Sequence, residues 1–179
     1  MKLSLLSIIL GVAYAIPQLF ALLKPAAFTA AAKKFPRHEG VGYVLMGLAT
    51  AWFLYNLNAE TISDFATYKT PMLIGFAALG VGTCIFVRDF LAMRGLAIFL
   101  LMLAWYTLNV ARVVDSQWRL VIVTWAYLWV IVGMWLTTSP WRGRDWLNWL
   151  TAQPARLKVL SGARLAFSIL LIVLGIAVF

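Results

Sequence analysis

The chain reads as an all-α, polytopic integral membrane protein: a helical bundle of six transmembrane helices with two amphipathic helices on the cytoplasmic side. Three observations predict this. Six stretches of about 20 mostly apolar residues follow one another along the chain, each long enough to cross a bilayer. Lysine and arginine sort to alternate connections between those stretches. Two of the connections are themselves amphipathic and bounded by prolines.

Composition sets the solvent. Of the 179 residues, 64% are hydrophobic and 12% charged, with a mean hydropathy of +0.91. That is more apolar side chain than a domain of this size can hide in its own core, so lipid must cover the remainder. The hydrocarbon core is roughly 30 Å thick and a helix rises about 1.5 Å per residue. The spans predicted on that basis are residues 3–23, 40–57, 71–87, 91–110, 118–138 and 163–179, all in a single transmembrane domain. Arg88, Asp89 and Arg94 leave only a tight connection between the third and fourth. Lys2, an apolar run and Ala13-Tyr14-Ala15 imitate a secretory signal. The apolar run continues to Leu23, so the segment is read as a retained helix.

Charge supplies the orientation. Lys24, Lys33, Lys34, Arg37, Arg88, Arg94, Arg142, Arg144, Arg156, Lys158 and Arg164 fall in or beside the connections after spans one, three and five. Only Lys2, Lys69, Arg112 and Arg119 fall on the other side. Eleven against four predicts that the first group is cytoplasmic and that both termini face outward, as in a bacterial inner membrane. The same asymmetry accounts for the net charge of +9, so no nucleic-acid partner is expected.

Two connections carry helical patterns. In residues 24–39, Phe28, Ala32 and Phe35 share one face, Lys33 and Lys34 another, and Pro36 terminates the pattern. In residues 139–162, Ser139-Pro140 offers a cap and first turn, and Trp146, Trp149 and Leu150 recur at helical spacing. Trp141, Arg142, Arg144, Trp146, Trp149, Lys33, Lys34 and Arg37 are therefore the candidate residues for anionic lipid headgroups or a protein partner. Both connections run proline, amphipathic helix, proline, then a small residue, which is the pattern of a possible internal repeat. On the outer side, residues 58–70 place Ile62, Phe65 and Tyr68 at helical spacing beside Glu60 and Asp64, a short interfacial turn.

Little in the chain points to chemistry. No span has a charged residue near its middle, which disfavours a proton or ion path. Asp89, Asp115 and Asp145 sit at helix ends beside arginines and read as neutralised ends. His38 is the only histidine and Cys84 the only cysteine, and neither has ligands or an activating neighbour in sequence. No metal, cofactor or catalytic residue is expected. Trp118, Trp125 and Trp129 form a stripe on the fifth span, read as aromatic packing or interface anchoring ahead of a pigment surface. Small residues four apart, at Gly11 and Ala15, Gly47 and Ala51, Ala78 and Gly82, and Gly162 and Ala166, allow close helix approach.

The primary expectation is thus a non-catalytic membrane subunit that scaffolds or stabilises a larger complex, bound to other subunits or to itself. The alternative is a small transporter or channel for an uncharged or small polar solute, working as a homodimer. Its path would be lined by Gln18, Asn56, Thr83 and Asn109.

Overall fold

A computed structural model describes residues 2–61 and 67–179. Those residues form helices α1 (Leu3–Leu23), α2 (Pro25–Lys34), a short 3-10 turn (Phe35–Arg37), α3 (Glu39–Ala59) and α4 (Lys69–Phe86). They continue with α5 (Leu91–Arg112), α6 (Arg119–Thr138), α7 (Trp141–Thr151) and α8 (Pro154–Ala177). Six of these, α1, α3, α4, α5, α6 and α8, are long and apolar enough to cross a membrane, consistent with a multi-pass membrane protein. Ile62, Asp64 and Phe65 of the expected outer turn lie outside the described residues.

One helix extends well beyond its expected span. The last helix starts at Pro154, nine residues before the expected span start at 163, because Gln153 is extended and a first-turn proline launches the helix after it. Residues 155–162 are too polar to count as a span, yet they continue the same helix.

The chain divides into two compact units. The first comprises Met1–Lys34, Leu103–Trp129 and Arg144–Phe179. Here the two ends of the chain pack antiparallel. Ser7 Oγ donates to the Leu171 carbonyl at 2.5 Å. A Cβ on Gly11 would lie 2.7 Å from Ile172 Cγ1 and 3.0 Å from the Ser168 carbonyl oxygen. One on Gly175 would lie 2.7 Å from Ile8 Cγ1 and 2.8 Å from the Ser4 carbonyl oxygen. Buried positions recur three and four apart on both helices: Leu3, Ser7, Leu10, Gln18 and Ala21 on α1, Leu157, Ser161, Ser168, Leu171 and Gly175 on α8. That spacing keeps one seam on its partner over many turns. Leu3, Leu6, Leu10, Ala111, Ile122, Trp125 and Leu171 form the core of this unit. A second cluster of Ala21, Leu150 and Leu157 is closed by Phe28, the residue of α2 that the amphipathic pattern turns inward.

The second unit comprises Phe35–Met102 and Val130–Gly143. Glycines again set the contacts. A Cβ on Gly42 would meet the Ala92 nitrogen at 2.9 Å, and one on Gly95 the Met46 nitrogen at 2.7 Å, so α3 and the start of α5 run parallel and backbone to backbone. Gly133 is equally close to Leu101 and the Ala97 carbonyl, and Gly143 to Met93. α4 runs antiparallel to α3, with Gly80 against Thr50 and the Phe53 and Phe76 rings edge to face at 4.8 Å. The tight connection into α5 is made by Phe90 in the left-handed region (φ 57°). Its carbonyl accepts from the Met93 and Arg94 amides.

Candidate functional site

α4 is the least enclosed of the long helices. None of the large apolar side chains of its span is buried, against 33% of the apolar window for α1 and 39% for α5. Gly80 is its one buried residue. Ile74, Leu79, Val81 and Phe86 are exposed, the last at 85%.

The open face has a particular composition. Gly75, Ala78, Leu79, Gly82, Thr83, Phe86 and Val87 line a shallow groove of ≈ 430 Å³. A Cβ on Gly75 would meet nothing within 4 Å, and one on Gly82 only Phe86 Cδ2 at 4.0 Å. These two glycines are therefore not required by packing among the described residues of their unit. Each still lowers helix propensity by about 1 kcal/mol relative to alanine. Thr83 Oγ1 donates to the Leu79 carbonyl at 2.7 Å, so the groove floor is hydrogen-bonded and apolar. Residues 75, 78 and 82 follow the three-and-four spacing seen on the buried faces of α1 and α8.

Of the expected small-residue pairs, Gly11 takes part in close approach within its unit. Gly47 and Gly162 have open space at the Cβ position. Gly175, which no four-residue pair marks, does the same work as Gly11.

The candidate solute-path residues do not converge. Gln18 is buried on the α1 seam, level with residues 160–161 of α8 in the register that joins Ser7 to Leu171. Asn109 is exposed and donates to its own helix at the Trp105 carbonyl, 3.0 Å away. Thr83 lies in the α4 groove. Asn56, on α3, has a buried Nδ2 without a partner among the described residues, as do Arg94 Nε and Ser161 Oγ.

Among the candidate lipid or partner residues, Lys33, Lys34, Trp146 and Trp149 are exposed in the first unit. Arg144, half-buried beside them, pairs with Asp145 at 2.8 Å, so Asp145 is neutralised by its neighbour rather than by Arg142. Arg37, Trp141 and Arg142 are exposed in the second unit, where the Arg37 guanidinium lies 5.7 Å from the Phe90 ring centre. Two residues that sequence reasoning used only for orientation matter more. Arg156 Cζ sits 4.3 Å from the Trp149 ring centre, and Arg164 Cζ 4.8 Å from that of Trp146.

Other residues have structural roles. His38 Nδ1 accepts from the Val41 amide at 3.3 Å and caps α3. Arg119 donates to the Arg112 and Val114 carbonyls, closing the end of α5. Trp125 is packed among Tyr14, Trp129 and Phe167, with ring centres 4.2 to 5.2 Å away. Trp118 lies before α6 and is exposed. No three potential metal ligands gather among the described residues. The chain matches no family model, no curated protein and no solved structure in the three comparisons made.

Proposed function

We propose that this protein is a non-catalytic integral membrane subunit whose α4 docks a transmembrane helix of a partner chain, scaffolding a larger membrane complex. The observation that carries the reading is the α4 face: a glycine-alanine stripe at interhelical spacing with nothing from the described residues of its own unit against it. Lipid tails are as apolar as leucine, so hydrophobicity gives no reason to set glycines on a lipid-facing helix. Close approach of a second backbone does. The positive-inside bias of eleven basic residues against four supports outward-facing termini, with α2 and α7 lying along the cytoplasmic surface of a bacterial inner membrane.

Purification in a mild detergent tests the role. The proposal expects a second protein at fixed stoichiometry, lost when Gly75 and Gly82 are both replaced by leucine while the chain itself remains folded. A protein that purifies alone, and behaves identically with both leucines, refutes it.

A further inference from the structure

We propose that the Trp149–Arg156 and Trp146–Arg164 pairs form a headgroup site for an anionic phospholipid, each guanidinium taking phosphate oxygens. The site lies wholly within the first unit, where α7 meets the first turns of α8. It rests on the bilayer reading of α8 and is independent of the role of α4.

The geometry is that of two cations held in place without being neutralised. Arg156 stacks on Trp149 and donates to the Trp149 carbonyl at 2.7 Å and to Gln153 Oε1 at 3.2 Å. Arg164 stacks on Trp146, and its guanidinium donates no hydrogen bond among the described residues. Both side chains are half-buried, and among the described residues neither forms an ion pair. The nearby carboxylate in sequence, Asp145, is bound to Arg144. A partly desolvated cation lacking a counter-ion is costly, and a guanidinium has five donors in a planar fork that fits phosphate. Stacking on indole fixes the fork before the anion arrives.

A lipid, rather than a soluble anion, is specified by what surrounds the charges. Trp146 and Trp149 are about half exposed, giving apolar ring surface beside each cation. Arg164 is followed directly by the apolar run Leu165 to Ala177, apart from Ser168, on the same unbroken helix. Cation, indole and hydrocarbon helix in that order match phosphate, glycerol and acyl chain in depth. Arg164 lies eight positions beyond Arg156, about 12 Å farther along the helix axis, so its long side chain must reach back toward the start of α8 to meet a headgroup.

Native mass spectrometry of the intact chain, released from micelles containing phosphatidylglycerol or phosphatidylcholine, tests the site. One or two phosphatidylglycerol molecules should remain bound, and phosphatidylcholine should not. Arg156→Lys with Arg164→Lys keeps the charge and removes the planar fork, so bound phosphatidylglycerol should fall about tenfold, the scale of one lost charge-assisted hydrogen bond. Lys2→Gln with Arg112→Gln, which removes two exposed charges elsewhere on the same unit, should change it less than about twofold. Retention unchanged by the lysine pair of substitutions, or equal retention of both lipids, overturns the site. Displacement of the lipid by millimolar inorganic phosphate would assign the arginines to a soluble anion and overturn the lipid proposal. Should the double lysine variant misfold by circular dichroism, Trp146→Phe with Trp149→Phe, which keeps both cations but weakens the stack, is expected to lower retention about threefold. No loss there counts against the site in the same way.

Discussion

The α1–α8 seam and the outer face of α4 are built from the same kinds of residue and meet opposite surroundings. On the seam, Gly11 and Gly175 each sit where one extra carbon would strike a neighbouring side chain and a backbone carbonyl. On α4, Gly75 and Gly82 follow the same interhelical spacing, and an extra carbon there meets nothing closer than 4.0 Å. Small residues matter through what they allow to approach. The stripe on the seam is filled within the first unit, whereas the one on α4 is open among the described residues.

Substitutions should separate the two regions sharply. The largest effect is expected for Gly175→Leu, whose side chain must displace both Ile8 and the α1 backbone at Ser4. Overpacking of this kind costs about 3 kcal/mol, to be read as a lower midpoint in a denaturing-detergent titration of the purified protein. Gly80→Leu on the packed side of α4 faces Thr50, a side chain that can shift, so the expected loss is smaller, about 1–2 kcal/mol by the same titration. Ser7→Ala removes the hydrogen bond to Leu171, and its expected cost is about 0.6 kcal/mol, the average for interhelical bonds in membranes. Gly82→Ala should go the other way, raising the stability of the isolated chain by up to about 1 kcal/mol through helix propensity alone. If Gly82→Ala were as destabilising as Gly175→Leu, the α4 face would be packed within the chain and the contrast would disappear.

The comparison also shows what one-dimensional reading reaches. Hydropathy found the six long helices because each is apolar nearly throughout and long enough to cross about 30 Å of hydrocarbon. It does not mark the start of α8, since Ala155 to Gly162 are helical for reasons of capping and continuity that hydropathy does not measure. Phe28 and Ala32 were legible as the inward face of α2, a local periodicity. The seam was not. Its partners lie at opposite ends of the chain, and Gly175 is spaced seven residues from Ser168 rather than four from a small neighbour. Nor could spacing pair Arg156 with Trp149 and Arg164 with Trp146, because the turn from Thr151 to Pro154 decides how α7 folds back on α8. For α4 the situation is reversed. Ala78 and Gly82 were visible as a small-residue pair, and structure was needed to see that the groove they line is open among the described residues of their unit.

Site-directed photo-crosslinking in native membranes tests the central claim most directly. A photoreactive residue at Ala78, in the α4 groove, and another at Val173, exposed at 50% on the outer side of α8, are compared under one irradiation. Docking at α4 predicts a discrete adduct with one other protein at residue 78 and none at residue 173. Lipid adducts alone at both positions, or an adduct at residue 78 of twice the mass of this chain, would contradict a partner subunit on α4.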